Sequence, residues 1–169
     1  MTGVLYHSPS EIIAQMLDDL GLADLQSTGT GDPLTGWTVF PIHLPEDPEQ
    51  ALVVKDTSGR IHGRMQPTGV IGEHYGIQIL ARSSVDPVTP YKRVKLILEA
   101  FDTLVNREEV TLIDDNSVSR TYRVNAVTRV GPAVPAGNDG QRFFYSGNAV
   151  ASIELVETED EGSETGTGS

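Results

Sequence analysis

Two neighbouring stretches in the middle of the chain constrain its fold more than any others. From Tyr75 to Arg82, Tyr75, Ile77, Ile79 and Ala81 alternate with Gly76, Gln78, Leu80 and Arg82, the period of two that a strand with one firmly buried face imposes. After a Ser/Pro/Thr break, Tyr91, Val94, Ile97, Leu98, Phe101, Leu104 and Val105 recur at spacings of three and four, which lays one apolar stripe along a helix expected over 90–106. A helix with one apolar stripe needs a sheet to cover. The pair therefore predicts an α/β sandwich core.

The flanking sequence supplies the other elements. Ser8-Pro9-Ser10-Glu11 is a capping box with proline at the first helical position: the serine hydroxyl accepts from the third helical amide while the glutamate reaches back. The helix it opens, over 10–21, buries Ile12, Ile13, Met16, Leu17 and Leu20, and Gly21 is placed to end it. Asp24 to Thr35 is polar and glycine-rich and reads as a loop. Gly36 to Leu44 has strand composition, but Pro41 removes a ladder donor, so this strand is expected at an edge or to end near Phe40. Ala51 to Asp56 reads as a strand running into a turn at Thr57-Ser58-Gly59, followed from Arg60 to Gly72 by a hairpin and an exposed loop.

Beyond the second helix, Val110 to Ile113 is a short strand and Asp114 to Ser117 its turn. Val118 to Val130 alternates, with Val118, Tyr122, Val124 and Ala126 on one face, Arg123, Asn125 and Arg129 on the other, and Arg120 out of pattern. Gly131 to Gly140 reads as a Pro/Gly loop, and Gln141 to Val156 as a last strand with Phe143, Tyr145, Ala149, Ala151, Ile153 and Leu155 on one side. The fold class expected is α+β: a mixed, mostly antiparallel sheet covered by two helices, about 10–21 and 90–106, with a C-terminal two-strand ribbon. Residues 1–156 form one domain. Residues 157–169 lack the apolar side chains that offset ordering entropy and are expected to be a disordered acidic tail.

Composition narrows the chemistry. Twelve Lys and Arg stand against 24 Asp and Glu, and Glu157, Glu159, Asp160, Glu161 and Glu164 crowd the final stretch without a base. Sequence-independent duplex binding rests on cations neutralising phosphates, so an acidic chain argues against it. The absence of cysteine excludes disulfides, thiolate zinc sites and cysteine nucleophiles. The first residues lack the basic and apolar regions of a signal peptide, and no apolar run approaches a membrane span. Synthesis in a cytoplasm without membrane attachment is expected.

No catalytic constellation emerges. His7, His43, His62 and His74 are too scattered for a metal motif. Asp18-Asp19, Glu108-Glu109 and Asp114-Asp115 are adjacent pairs at helix ends and turns, whereas catalytic carboxylates converge from separate elements. Neither a phosphate-binding G-x-x-x-x-G-K-[ST] nor a G-x-S-x-G elbow occurs. A non-enzymatic protein with no metal and no cofactor is expected. One charge pattern invites a role: Lys92, Arg93 and Lys95 fall in the first turns of the predicted second helix, where the macrodipole disfavours cations. They read either as a solvated face partly offset by Glu99 or as a contact for an acidic partner, a neighbouring copy included. Arg60, Arg64, His74, Arg82 and Arg142 join them as candidate subunit or partner contacts.

Ile61-His62-Gly63-Arg64, then Gly76-Ile77-Gln78-Ile79-Leu80-Ala81-Arg82, then Tyr91 and its apolar helix resemble the small neck proteins of long-tailed bacteriophages, variously labelled tail terminator, tail completion or minor capsid proteins. The order agrees across residues 8 to 156: a capped helix, a tryptophan strand, the Asp56 to Gly59 turn, the G-I-Q-I strand, a long helix, and two final strands, the second opening with Arg142-Phe143-Phe144-Tyr145-Ser146. The resemblance implies a mixed α/β domain assembling as a homohexameric ring on the last ring of tail tube protein, halting tube growth and offering its other face to the head completion or stopper protein. Genome DNA would pass the lumen without specific binding, which suits an acidic chain. The implied location is the tail–neck junction of the virion, and the family brings no catalytic residues. The segment from Ser58 to His74 is the candidate for reaching a neighbouring subunit or the tube. Alternatives are a head–tail stopper or other minor capsid component, and a small ligand-binding or enzymatic α/β domain.

Overall fold

A computed structural model describes residues 5–25, 35–65 and 70–156, with the backbone alone over 58–65 and 70–73. In chain order the elements are α1 (Pro9–Asp19), β1 (Asp24–Leu25), β2 (Thr38–Pro41), β3 (Ala51–Met65), β4 (Val70–Ser83), α2 (Val88–Thr103), β5 (Glu108–Ile113), β6 (Ser119–Asn138) and β7 (Phe143–Val156). All seven strands share one sheet in the order β1-β2-β3-β4-β7-β6-β5. The β1–β2 and β2–β3 pairs are parallel and the rest antiparallel. The fold is α+β, a mostly antiparallel mixed sheet with two helices.

The two helices share one continuous core with the sheet. α1 touches β1, β2 and β3 near one edge and β5 at the other. In a flat sheet β2 and β5 would lie about 24 Å apart, twice the ~11 Å width of a helix, so the sheet must curl around α1. α2 covers the middle, on β4, β7 and β6. Leu52, Val54, Ile77, Ile79, Ala81, Ala149 and Ala151 are buried on this concave face.

Both helices start for visible reasons, and α1 stops for one. The Ser8 hydroxyl accepts from the Glu11 amide, the Glu11 carboxylate accepts from the Ser8 amide at 2.8 Å, and Gly21 takes φ +69° just past the end, all as the sequence suggests. α2 starts at Val88, before Pro90, because the Asp86 carboxylate accepts from the amides of Val88 and Thr89, each at 2.8 Å. It ends at Thr103, so Leu104 and Val105 lie past the helix, and Leu104 is exposed while Val105 is buried.

Glycine and proline sit inside strands at two places where the sequence suggests a turn or a loop. The turn expected at Thr57-Ser58-Gly59 is a register shift between Thr57 and Arg60 inside β3, and the strand continues to Met65, paired with Val70. Small residues serve a bulge as readily as a turn. Residues 66–69, between the paired Met65 and Val70, lie outside the described residues. Gly131 to Asn138, read as loop, belongs to β6, which accommodates its extra residues in register shifts at Val130/Val134 and Pro135/Gly137, with Gly131 at φ +79° and Gly137 at φ +115°. A further shift between Val124 and Ala126 reverses the facing, so that Val127 and not Ala126 is buried. β6 and β7 are antiparallel neighbours as expected, but β7 also pairs with β4 from His74↔Ser152 to Ser83↔Phe143. The pair is thus the middle of the sheet. Pro41 is not on an outermost strand, yet β1 reaches only Thr38 and Val39, leaving Pro41 past its end. Segment 157–169 lies outside the described residues.

The centre of the sheet carries Gly147 for a steric reason. A Cβ there would come within 2.8 Å of Leu98 Cδ1 and 3.0 Å of Val94 Cγ1, so the missing side chain sets how closely α2 approaches. Gly147→Val is expected to cost about 1–3 kcal/mol by overpacking, read as a lower urea midpoint with an unchanged slope.

Candidate interaction surface

The residues with sequence-level claims to an interface divide into those held inside the chain and those left outside. Arg82 is held most firmly. It alternates with Ala81 and so faces away from the helices, yet it is only 3 % exposed. The chain from Ile42 to Gln50, which links parallel β2 to β3, folds over that face, and the Arg82 guanidinium donates to the carbonyls of Pro45 (2.8 Å), Glu46 (2.9 Å) and Pro48. Parallel neighbours ordinarily need a crossover of a dozen or more residues, usually containing a helix. Here a short helix-free link does this work, fixed by one fork of N–H donors. Burial lowers the Arg82 pKa first, the nearby Arg142 charge adding to the effect. Arg82 is therefore a strut of the fold and not a surface contact.

Arg142 continues the same device. Its guanidinium pairs with both carboxylate oxygens of Glu49, at 2.9 and 3.1 Å, which holds the far end of the link and raises its own pKa. Arg93 also turns inward: it donates to the Leu22 carbonyl at 3.0 Å and lies 5.2 Å above the Trp37 ring. Burial lowers its pKa, with Asp24 opposing. The idea that these cations offend the macrodipole is corrected by the position of the helix start. From Val88, Lys92, Arg93 and Lys95 fall after the first turn, where the dipole's effect has decayed.

Lys92 and Lys95 stay outside. Lys92 is exposed and forms no ion pair among the described residues, while Lys95 meets Glu99 at 3.8 Å with both side chains more than half exposed. His74 is half-buried on β4 opposite Ser152. Arg60 and Arg64 lie on β3, their side chains outside the described residues.

Beside the two lysines the surface is apolar. Tyr91, 38 % exposed, packs edge-on against Tyr145 with ring centroids 5.5 Å apart, Pro135 is the strand partner of Tyr145, and Val85 and Val88 stand exposed at the start of α2. A second exposed region is the distal part of β6. From Thr128 to Asn138 every residue except Ala133 is exposed, including Val130 at 55 % and Val134 at 41 %.

One polar cluster escaped sequence reasoning. The Ile113 carbonyl can only accept, so in the neutral ring His7 Nε2 donates to it at 3.0 Å and Nδ1 accepts from the Tyr122 hydroxyl at 2.7 Å. Arg120, out of pattern in the strand, stacks 3.9 Å above the Tyr6 ring and pairs with Asp114 at 2.9 Å. On the other side of α1, Asp56 accepts from the Ser10 amide and hydroxyl, each at 2.8 Å. These groups fasten α1 to β3 on one side and to β5 and β6 on the other, and nothing in their spacing along the chain announces it.

Among the described residues no group of three or more His, Cys, Asp or Glu is placed to hold a metal, and no helix is long and apolar enough to cross a membrane. No family model matches the chain, and no curated protein matches it.

Arg82→Met and Arg82→Lys should each cost at least ~2 kcal/mol, since both lose the forked charge-assisted hydrogen bonds to backbone carbonyls. Glu49→Ala, which removes the exposed partner of a half-buried arginine, should cost about 1 kcal/mol or less in the same urea titrations. Hydrogen bonds from the amides of Val118 and Thr89 hold the carboxyls of Asp114 and Asp86, respectively, below the ordinary range. The unfolded chain therefore takes up protons first, so the stability from these groups is full above their unfolded value of ~4 and is lost as pH falls through the lower folded values. Melting temperature should decline below about pH 4, less steeply in the double variant Asp86→Asn, Asp114→Asn, which still accepts hydrogen bonds but does not titrate.

Proposed function

We propose that the chain is a structural virion assembly protein, a tail terminator: a homohexameric ring that caps the tail tube, stops its growth and joins the tail to the head. The observation that carries this reading is the distal part of β6, an eleven-residue stretch from Thr128 to Asn138 exposed at all positions but one. A strand that reaches past its own helical cover has no core of its own to complete, and it suits contact with another protein. The strand carries Pro132 and Pro135, and its ladder with β7 is interrupted by two register shifts, features that discourage indiscriminate strand pairing. Contact then falls to the faces of the strand, where Val130 and Val134 are offered.

A patch of this kind meeting a different patch on the next copy makes a heterologous contact, the type that closes into a ring. The net charge of -12 favours a lumen through which genome DNA moves without being retained. The partners in this reading are further copies of the chain, the tail tube protein and the head completion or stopper protein, at the tail–neck junction of the virion. The role requires neither catalysis nor a cofactor.

The test is the mass of the purified chain in solution, alone and with tail tubes. A ring, formed freely or on the tube, is expected, and the double variant Val130→Glu, Val134→Glu should lose it while melting within a few degrees of the parent. A chain that stays monomeric and ignores the tubes overturns the proposal.

A further inference from the structure

The exposed surface at the start of α2 is apolar in one part and cationic in the other, and the same chain contains a segment of opposite charge. Tyr91 and Tyr145 form its aromatic floor, 5.5 Å apart, with Pro135 opposite Tyr145. Lys92 and Lys95 flank it. The chain has three lysines, and these are two of them. The arginines whose side chains are described are otherwise mostly engaged: Arg82 and Arg93 with carbonyls, and Arg120, Arg123, Arg129 and Arg142 with carboxylates. Lys92, with no ion pair among the described residues, and Lys95, with only the exposed Glu99 at 3.8 Å, are thus the outward-facing cations of α2.

We infer that this surface receives the acidic segment Glu157–Glu164 of a neighbouring copy. The geometry separates the neighbour from the segment's own chain. β7 delivers that segment at Val156, the strand partner of Thr121. Tyr145, which locates the patch, lies eleven residues back along the same strand, about 36 Å away at strand rise. Glu157, Glu159, Asp160 and Glu161 all fall within five residues of Val156, a reach of about 17 Å even when fully extended. The main chain at four of the five carboxylates therefore ends well short of its own Tyr145. In a second copy no such limit applies. One end of each subunit then carries the anionic segment and the other the cationic, aromatic patch, a head-to-tail complementarity. This inference rests on the reading of the chain as a self-assembling ring, and it names the contact that orders the subunits.

The probe is a fluorescein-labelled peptide of residues 155–169, titrated into full-length protein carrying Glu157→Gln, Glu159→Gln, Asp160→Asn, Glu161→Gln and Glu164→Gln, so that its own segments do not compete. Saturable binding is expected at about 20 mM salt and its loss at about 0.5 M, as for exposed charges. Adding Lys92→Glu and Lys95→Glu should weaken binding at least tenfold, and Tyr91→Ala should weaken it further. The pair Lys55→Glu and Arg107→Glu, which changes net charge equally, should leave binding within twofold. Absence of binding, or equal weakening by both pairs, overturns the inference. The mass of the neutralised chain is read alongside. Full ring assembly without peptide binding overturns the docking and leaves the ring reading standing. Peptide binding by a chain that stays monomeric and ignores tail tubes overturns the ring and leaves the docking standing.

Discussion

The curl of the sheet around α1 is the constraint on which the rest of the structure depends. A seven-stranded sheet has no inherent reason to bring its two ends to one short helix, and open twisted sheets of this size are common. Here α1 is tied to β3 on one side and to the β5–β6 end on the other. Asp56 of β3 accepts from the Ser10 amide and hydroxyl at the helix N-terminus, where a carboxylate is favoured by the dipole. Immediately before the helix, His7 bridges the Tyr122 hydroxyl and the Ile113 carbonyl. The concave face so formed buries Ile12, Ile13, Met16 and Leu17 against strands from opposite ends of the sheet order. Burial of such side chains, about 1.5–3 kcal/mol each, supplies the driving force. The polar ties set where the two ends stop.

With the concave side closed by α1 and α2, the convex side is where the chain differs from region to region. At one corner Arg82 converts a short link between parallel strands into a fixed cover by gathering three carbonyls, and Arg142 with Glu49 secures its end. Across β5, β6 and β7, Arg123 stands in a row between Glu109 and Glu154, a cross-strand arrangement suited to solvent. The distal part of β6 is exposed at every position but Ala133, with Arg129 near its start paired to Asp102 of α2 at 2.9 Å, and beyond that pair the proposed contacts between subunits are placed. Rigidity in the core and exposure at the periphery are thus divided along the length of β6 itself, near Val127, the last of its fully buried side chains.

What could be read from the chain, and what could not, follows from how local each signal is. The capping box at Ser8, the alternation from Tyr75 to Ala81 and the stripe on α2 depend on residues a few positions apart, and the elements they mark are present. Glycine and proline misled where a bulge and a turn want the same residues, as at Thr57 to Gly59 and from Gly131 to Asn138. α2 starts earlier than its apolar stripe suggests: Pro90 resembles a break, yet proline fits within the first turn and the Asp86 carboxylate accepts from the first amides. Among the candidate contacts, Arg82, Arg93 and Arg142 were chosen by residue type, and type does not distinguish an interface arginine from one gathering carbonyls within its own chain. Lys92 and Lys95 were chosen on a premise about the dipole that the helix start removes, yet they are exposed. The ties of His7 to Tyr122 and of Asp56 to Ser10 span 115 and 46 residues, distances over which sequence spacing carries no signal.

The proposed role is tested most directly at the ends of growing tubes. Tail tube protein polymerised with and without the chain, and imaged by electron microscopy, should give tubes that stop growing when the chain is added, each with a sixfold ring of additional density at one end. Tubes that reach the same lengths with bare ends in its presence would contradict the account.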